Sequence, residues 1–277
     1  MIISTPATSA NLGPGFDCLG IALNLRNFFT IKKNKKNENN ANDNIFNKIF
    51  KEHCDLDFSL SIEANIPSSR GLGSSASVII AGLGAAHFLK HNNFDKKAIL
   101  DLALQYEGHP DNISPCVFGG FCISLINNNS IEVLKTQIPS EIRAILVIPN
   151  HKVPTDQSRS ALPNTYSLSD ATFNIAHASF LSACFITQKW DDLKLAAKDK
   201  IHQDYRMQSY PLLYEIQNTA LTFGALCSTL SGSGSSMLNI AFKDDAELLT
   251  KRLKDAFPAC KVINTDFDNE GLRLEKP

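Results

Sequence analysis

Residues 67–76 read Pro67-Ser68-Ser69-Arg70-Gly71-Leu72-Gly73-Ser74-Ser75-Ala76. Before this stretch, apolar residues alternate with other residues from Phe58 to Ile66, which predicts a strand with one inward face. After it, apolar residues recur at helical spacing from Ser77 to Leu89. A loop that joins a strand to the start of a helix directs backbone N–H groups and the positive end of the helix dipole toward one point. The stretch therefore predicts a strand, an anion-binding loop and a helix.

The loop contains residue types that suit a phosphate. Gly71 and Gly73 let the main chain approach an anion without an intervening Cβ atom, and the hydroxyls of Ser74 and Ser75 can bond phosphate oxygens or a metal ion. The loop is neither a P-loop, because no Gly-Lys-Ser/Thr follows, nor a Gly-x-Gly-x-x-Gly loop. Glycine- and serine-rich turns before helices are common, so this loop alone leaves both a phosphate site and an ordinary turn open.

Two further glycine-rich loops accompany it. The first reads Thr5-Pro6-Ala7-Thr8-Ser9-Ala10-Asn11-Leu12-Gly13-Pro14-Gly15-Phe16-Asp17. The last reads Ser231-Gly232-Ser233-Gly234-Ser235-Ser236 and joins two predicted strands. Taken singly, Asn11 and Asp17 are common turn formers, and the serine-glycine run is typical of a flexible hairpin.

In their order along the chain, the three loops resemble the three motifs of the GHMP small-molecule kinases, and residues 67–76 carry the most specific match. Residues 6–17 are similar to the homoserine kinase branch of that family. A fourth stretch is similar to the same branch, with mild departures at Ile113 and Ser114; it reads Glu107-Gly108-His109-Pro110-Asp111-Asn112-Ile113-Ser114-Pro115.

The resemblance implies an α+β, two-domain GHMP kinase fold. Residues 1–150 would form a ribosomal-protein-S5-like α/β domain with the ATP/phosphate loop, and residues 151–277 a ferredoxin-like βαββαβ domain that completes the substrate site. The pattern of the chain agrees with this order. An apolar segment at 142–148 is the best candidate for the start of the second domain. Helical patterns at 169–187, 191–205, 212–223 and 246–257 alternate with predicted strands at 225–230, 236–242 and 261–267.

An amino-acid alcohol as substrate requires a cation for its carboxylate, an anion for its ammonium group and a polar contact for its hydroxyl. By the resemblance, Arg159 and Arg206 would bind the carboxylate and Asp111 the ammonium group. Asn11 and Asp17 would contact the reacting hydroxyl and serve as the catalytic pair. His109 and Thr155 would complete the substrate pocket. Taken alone, Asp111 also suits the N-cap of the helix that follows it.

The nucleotide residues also follow from the resemblance. They are Pro67, Arg70, Gly71, Leu72, Gly73, Ser74, Ser75, Ala76, Ser231, Gly232 and Ser233. Mg²⁺ would be held by Ser75 and Glu107, with Asp101 as the alternative carboxylate by spacing. The nucleotide loop has no lysine, so Arg70 or backbone dipoles would share the neutralisation of phosphate charge. Asp17 is the candidate general base, although phosphoryl transfer through a loose transition state requires little activation of the nucleophile.

Composition and charge narrow the remaining classes of function. The 277 residues carry a net charge of −1, which lacks the overall basic field of non-specific nucleic-acid binding. No apolar run approaches the roughly 18 residues of a membrane span, and the N-terminus predicts no signal peptide. Seven scattered cysteines without a Cys-x-x-Cys pair predict reduced thiols rather than a metal cluster. The lysine- and asparagine-rich segment 32–44 predicts a solvated loop.

The resemblance thus implies ATP-dependent phosphorylation of L-homoserine to O-phospho-L-homoserine, a step toward threonine, in the cytoplasm and with Mg²⁺. Family habit favours a homodimer, and neither nucleic acid nor a membrane is expected as a partner. Two alternatives stay open at this point. One is a GHMP kinase that acts on mevalonate or a sugar, which would not predict a role for Arg159 and Arg206 in binding the carboxylate of an amino acid. The other is a non-catalytic metabolite sensor of the same fold.

Overall fold

The computed structural model describes residues 1–33 and 44–275, and two antiparallel sheets organise this part of the chain. The first sheet contains β1 (Ile2–Ala10), β2 (Leu19–Lys33), β3 (Phe58–Glu63), β4 (Phe121–Asn127), β5 (Ser130–Thr136) and β10 (Arg273–Leu274). Its order is β10-β1-β2-β4-β5, with β3 paired to the far end of β2. The long pairing of β1 with β2 runs from Ile2 opposite Thr30 to Ala10 opposite Gly20.

Four helices pack together against the first sheet: α1 (Ile45–His53), α2 (Ser74–His91), α3 (Lys96–Ala103) and α4 (Pro110–Phe118). Helix α2 is apolar on almost every side because it is buried between the sheet and its neighbours. The glycines of α2 allow this close packing, since a Cβ atom at Gly84 would lie 2.9 Å from the side chain of Leu272. The packing fixes the N-terminus of α2, where the glycine-rich loop 67–76 ends.

The second sheet contains β6 (Ile142–Ile148), β7 (Cys227–Leu230), β8 (Met237–Phe242) and β9 (Lys261–Thr265), in the order β7-β8-β6-β9. Helices α9 (Leu212–Thr222) and α10 (Lys243–Ala256) pack against it. The strands and these two helices follow the predicted βαββαβ order of a ferredoxin-like domain. Helix α6 (Leu168–Thr187) joins a core that includes Leu146 of this sheet and Phe121 of the first sheet. The two sheets therefore share one apolar core.

The segment predicted as one helix at 191–205 is broken, so that prediction is wrong. It forms a 3₁₀ turn (Trp190–Asp192), a four-residue α7 (Leu193–Ala196) and a short α8 (Gln203–Met207). The cause is Asp199, whose carboxylate accepts hydrogen bonds from the backbone N–H groups of residues 201, 202 and 203 at 2.7–3.1 Å. A side chain that bonds nearby N–H groups offers the backbone an alternative to the helical pattern and starts a new helix.

Two helices end in capping arrangements typical of their residue types. Asp95 caps α3 by accepting a hydrogen bond from the N–H of Ala98 at 3.0 Å. Gly224, with φ of +94°, follows α9, and the N–H of Ala225 bonds the carbonyl of Ala220 at 2.9 Å, as in a Schellman motif.

The strands change sheets between Thr136 and Ile142, and β10 returns to the first sheet. The return is held by Arg26 of β2, which is buried and pairs with Asp268 while donating to the carbonyl of Gly271 at 2.6 Å.

The division of the chain into domains at residue 150 stays a prediction. The solvated loop predicted at 32–44 lies mostly outside the described residues. None of the helices in the described ranges is long and apolar enough to cross a membrane.

Candidate active site

A cleft of about 180 Å³ opens where the three glycine-rich loops meet. Its walls come from the N-terminal loop, the loop 67–76, the start of α4, the segment around α5 (Thr155–Ser160) and the loop after β7. The predicted site residues that line it are Asn11, Asp17, Gly71, Leu72, Gly73, Ser74, Ser75, Ala76, Glu107, His109, Asp111, Arg159, Arg206, Gly232 and Ser233. Ser69, Asn112, Val153 and Pro154 line it as well.

The loop 67–76 presents backbone to this cleft. Gly71 and Gly73 have φ of +72° and +64°, the left-handed region that favours glycine. A Cβ atom at Gly71 would lie 2.0 Å from the carbonyl oxygen of Ser231, and one at Gly73 would lie 1.9 Å from Oγ1 of Thr8. Gly73 is the N-cap of α2 and contributes no side-chain cap. The N-terminal N–H groups of α2 are therefore directed at the cleft, an arrangement that favours an anion.

Hydrogen bonds between the three loops fix this backbone. The hydroxyl of Ser231 donates to the carbonyl of Gly71 at 2.7 Å, so Ser231 supports the loop 67–76 rather than lining the cleft. The N–H of Gly232 bonds the carbonyl of Ala10 at 3.1 Å. Nδ2 of Asn11 donates to the carbonyl of Gly232, also at 3.1 Å. These two hydrogen bonds join the first glycine-rich loop to the last one.

Arg70 is turned away from the cleft, and Pro67 precedes the part of the loop that lines it. The guanidinium of Arg70 donates to the carbonyl of Pro149 at 3.0 Å and to Oδ1 of Asn150 at 3.2 Å, and the side chain is buried. Arg70 therefore joins the loop to the end of β6. Because Arg70 does not line the cleft, the expectation that it neutralises phosphate charge is wrong for this structure.

Beside the loop 67–76, ionisable side chains from distant segments form one cluster. Asp17 accepts two hydrogen bonds from the guanidinium of Arg159, at 2.7 and 3.1 Å. Nε2 of His109 lies 3.7 Å from the same carboxylate, and Nδ1 of His109 lies 3.7 Å from Glu107. The contact with Glu107 is the main cause that raises the pKa of His109. Asn11 sets the position of Asp17, because its Oδ1 accepts a hydrogen bond from the N–H of Asp17 at 3.0 Å.

Asp111 is the most strongly perturbed acid of this cluster. It is 4% exposed, and burial, followed by the negative charge of Asp17, raises its pKa to about 7. It lies in the first turn of α4, whose N-cap is His109, so the expectation that Asp111 is itself the cap is wrong. A buried carboxylate at the wall of a cleft favours a cation as ligand, since a cation would offset the unfavourable burial of its charge.

Arg206 faces the same space from the second half of the chain. It is 7% exposed, and its Nη1 donates to the carbonyl of Gly232 at 3.0 Å. Burial, with the charge of Arg159 as the next cause, lowers its pKa to about 10, so it is still a cation near neutral pH. The ring of Phe16 lies 5.1 Å from the guanidinium of Arg159 and 5.2 Å from that of Arg206. Phe16 therefore contacts both cations that line the cleft.

Of the two carboxylates considered for a metal ion, Glu107 lines the cleft and Asp101 does not. Asp101 accepts hydrogen bonds from Nζ of Lys97 and from the N–H of Ile131, both at 2.9 Å, so it is removed as a candidate ligand. Ser75 lies in the cleft with Glu107. Within residues 1–33 and 44–275, no group of three His, Cys, Asp or Glu side chains could hold a metal ion. One carboxylate and one hydroxyl fit Mg²⁺ at a phosphate site, where phosphate oxygens and waters complete the octahedron.

The sequence alone missed several residues of the site. Phe16 lies in the N-terminal loop 5–17 and Asn112 in the stretch 107–115. Their position in these two motifs is the signal that could have identified them as site residues. Oδ1 of Asn112 accepts a hydrogen bond from Thr8 at 2.7 Å and so joins α4 to the N-terminal loop. Val153 and Pro154 carry no signal of their own. Thr155 begins α5, and its side chain lies outside what the structure describes. All seven cysteines are free.

Comparison with known proteins agrees with these features. A family model described as the GHMP kinases N terminal domain matches residues 41–120. The chain is 42% identical to the homoserine kinase of Aliarcobacter butzleri, covering 99% of this chain and 100% of that protein. It is 43% identical to the homoserine kinase of Helicobacter pylori, with complete coverage of both. The crystal structure of homoserine kinase from Cytophaga hutchinsonii superposes with a TM-score of 0.86 at 24% identity, covering 99% of this chain and 96% of that one. The predicted fold class is thereby confirmed.

Proposed function

The chain belongs to the homoserine kinase family of the GHMP kinases, and from this membership we propose how its cleft acts on L-homoserine. It is an ATP-dependent kinase that transfers the γ-phosphoryl group to the hydroxyl of L-homoserine and yields ADP and O-phospho-L-homoserine. The reaction is a step of threonine biosynthesis. The roles of individual residues, the metal ion and the assembly are the finer parts of the proposal.

One observation carries the assignment of the substrate pocket. A buried carboxylate, that of Asp111, and two guanidinium groups, those of Arg159 and Arg206, line the same cleft as the phosphate loop. An amino acid presents the complementary pair, an ammonium group and a carboxylate, on one carbon atom. We assign the ammonium group to Asp111 and the carboxylate to the two arginines, because charge-assisted hydrogen bonds are strongest where both partners are ionised and shielded from water. The side chain of the amino acid would then extend toward the phosphate loop.

Phosphoryl transfer requires positioning and neutralisation of charge more than covalent chemistry from the protein. The N–H groups at the start of α2, together with the hydroxyls of Ser74 and Ser75, would hold the triphosphate. Mg²⁺, held by Glu107 and Ser75, would neutralise phosphate charge when bound. Asn11 would contact the reacting hydroxyl, although its side-chain atoms already bond Asp17 and Gly232, so its main effect is to order the loops around the substrate.

Asp17 is better placed to orient Arg159 and the substrate hydroxyl than to remove a proton. Both of its carboxylate oxygens accept hydrogen bonds from Arg159, so a lone pair on each oxygen is already engaged by the guanidinium. A loose transition state needs little activation of the attacking hydroxyl. We therefore propose that Asp17 fixes Arg159 and accepts a hydrogen bond from the substrate hydroxyl. The cytoplasm as the location, a homodimer as the assembly and the lack of nucleic-acid and membrane partners stay predictions.

ADP release with Mg-ATP tests the proposal against a panel of L-homoserine, L-threonine, L-serine, mevalonate and galactose. We expect turnover with L-homoserine alone. Turnover on mevalonate or a sugar would keep the fold and overturn the substrate assignment. Binding of ATP without turnover of any alcohol would instead favour a metabolite sensor. Omission of Mg²⁺, with EDTA present, should abolish turnover, and the Glu107→Gln variant should require more Mg²⁺ to reach half of its maximal rate.

A further inference from the structure

His202 is a buried histidine that no step of phosphoryl transfer uses. Its side chain is fully buried, and Nε2 lies 2.8 Å from the carbonyl oxygen of Gly13. A carbonyl oxygen can only accept a hydrogen bond, so Nε2 carries the proton. The other ring nitrogen, Nδ1, lies 3.2 Å from Nη1 of Arg206, and a guanidinium can only donate. Nδ1 must therefore be the unprotonated acceptor, and the ring is neutral with its proton on Nε2.

We propose that His202 is a positioning residue of the kinase, whose Nδ1 fixes the guanidinium of Arg206 in the orientation that binds the carboxylate of the amino-acid substrate. The proposal rests on the proposed function, because it takes Arg206 as a ligand of that carboxylate. Nη1 of Arg206 is held on two sides, by Nδ1 of His202 and by the carbonyl of Gly232. Phe16 stacks on the imidazole with ring centroids 5.3 Å apart and also faces Arg206. These contacts leave the guanidinium little freedom to rotate.

The charged groups around His202 keep its ring neutral. Arg206 disfavours a second cation beside it, and Asp199 lies 3.8 Å from Nε2. The carboxylate of Asp199, however, accepts hydrogen bonds from three backbone N–H groups and from Nδ2 of Asn174. These hydrogen bonds direct its oxygens to the backbone rather than to the ring. Burial, against the opposing effect of Asp199, lowers the pKa of His202 well below its ordinary value. The acceptor at Nδ1 is therefore present throughout the neutral pH range.

Recognition of a carboxylate by arginine depends on the plane and direction of the guanidinium fork, which is why an orienting partner matters. The Nε atom of Arg206 is buried and has no hydrogen-bond partner in the described part of the chain, so Nη1 carries the contacts that orient the group. Loss of the acceptor at Nδ1 would leave a buried donor unpaired, and rotation of the guanidinium toward another acceptor would relieve this. Affinity for the amino-acid carboxylate would fall, whereas the phosphate loop would be unaffected.

Steady-state kinetics of matched variants test this role. In His202→Asn, the side-chain oxygen can replace Nδ1 as the acceptor. In His202→Gln, the side-chain nitrogen replaces the donor at Nε2 and no acceptor faces Arg206. We expect His202→Gln to raise KM for L-homoserine roughly tenfold or more, with KM for ATP and kcat nearly unchanged. His202→Asn should recover most of this loss. The control is His177→Gln, a half-buried histidine of α6 whose Nδ1 contacts the carbonyl of Phe173 in the same helix, and it should behave like the wild type.

The double variant separates this role from a general effect on folding. If His202 acts through Arg206, His202→Gln should add nothing to the KM increase of Arg206→Ala. Additive effects would overturn the positioning role. An increase in KM for homoserine in Arg206→Ala but not in His202→Gln would also overturn it and would leave the proposed function intact. No change in KM in Arg206→Ala would instead contradict the proposed carboxylate contact.

A spectroscopic measurement tests the protonation state of the ring in the wild-type protein and needs only one variant, for assignment. Nitrogen-15 NMR of the wild-type protein with labelled histidine at pH 7 should show, for His202, a protonated Nε2 and an unprotonated Nδ1. Assignment comes from the resonance that is lost in His202→Asn. An imidazolium, or a ring protonated on Nδ1, would overturn the proposal, because neither form could accept a hydrogen bond from Arg206.

Discussion

The loop 67–76, which we propose as the phosphate loop, and the proposed amino-acid pocket are neighbours in one cleft, yet they are built in opposite ways. The loop is ten consecutive residues that present backbone, held by glycines whose φ angles are positive. The pocket consists of charged side chains from segments that are far apart along the chain, namely Asp17, Asp111, Arg159 and Arg206. Backbone N–H groups cannot titrate or change rotamer, whereas each side chain of the pocket depends on a partner. We therefore expect the loop to respond to changes in backbone geometry and the pocket to changes in charge and pH.

The largest effect is expected in the loop, from the change of Gly71 to alanine. The added Cβ atom would lie 2.0 Å from a backbone oxygen, and φ of +72° is unfavourable for alanine. The loop would have to move away from its anion-binding position, and we expect kcat/KM for ATP to fall roughly 100- to 1,000-fold, the range found for loss of preorganised donors. Gly108→Ala is the matched control, since a Cβ atom there has open space. Equal losses in both variants would contradict a special backbone requirement at Gly71.

The next effect belongs to the pocket. Replacement of Arg206 by alanine removes a buried cation, and we expect KM for L-homoserine to rise roughly 100-fold, equivalent to about 3 kcal/mol. KM for ATP should stay within about a factor of three of the wild-type value, because the phosphate loop does not contact this side chain. Arg159→Ala should give a smaller increase, since its side chain is 38% exposed and water screens it. A parallel rise in KM for ATP would contradict the separation of the two regions.

Asp111 should make the pocket sensitive to pH. Its pKa of about 7 means that falling pH protonates the carboxylate that we assign to the ammonium group. The value of kcat/KM for homoserine should therefore fall below pH 7, approaching tenfold for each pH unit. In Asp111→Asn it should be roughly 30-fold lower at pH 8 and should lose this step. A wild-type profile that is flat between pH 6 and pH 8 would contradict the assignment.

The same group should affect stability in the opposite direction. A carboxyl group with a folded-state pKa raised above its ordinary value of 3.8 stabilises the folded protein most when it is protonated. Its contribution is complete below that ordinary value and is lost as the pH rises through about 7. Asp111→Asn, which is always neutral, should therefore have a higher Tm than the wild type at pH 8 and a similar Tm at pH 4. A lower Tm at pH 8 would show that the ionised carboxylate stabilises the fold.

The smallest effect is expected at Asp17. If Asp17 orients Arg159 and does not act as a base, the change to asparagine should reduce kcat by less than about tenfold. KM for homoserine should rise more than kcat falls, because Arg159 would lose a bidentate partner. Measurement of both constants between pH 6 and pH 9 checks this. Turnover slowed by a factor of about 100 or more would instead assign the role of general base to Asp17.

Much of the fold could be predicted because its signals are local. The strand, loop and helix around residues 67–76 and the cap at Asp95 each rest on a few consecutive residues. The pairing of β10 with β1 could not be predicted, since two residues at the C-terminal end carry no periodicity. The hairpin of β4 and β5 had a usable signal in Asn128 and Asn129, which take positive φ angles as tight hairpin turns require.

The site could be predicted in composition but not in orientation. The residues came from motifs, but the direction of each side chain depends on distant partners. Arg70 stands in the right loop but bonds Pro149 and Asn150, 79 and 80 residues away. His202 carried no signal in the sequence, because its partner at Gly13 is 189 residues distant. Asp199, three residues earlier, breaks the helix there, and the imidazole of His202 contacts Gly13 and Arg206.

The most direct test of the division into two regions compares L-homoserine with two analogues that keep its hydroxyl. One analogue, 2-amino-1,4-butanediol, lacks the carboxylate, and the other, 4-hydroxybutanoate, lacks the ammonium group. We would measure kcat/KM for each with wild-type protein and with Arg206→Ala, at saturating Mg-ATP. The prediction is that Arg206→Ala lowers kcat/KM for homoserine and for 4-hydroxybutanoate by a similar factor and leaves that for the diol unchanged. An equal loss with all three alcohols would show that Arg206 does not recognise the carboxylate, and would contradict the proposed pocket.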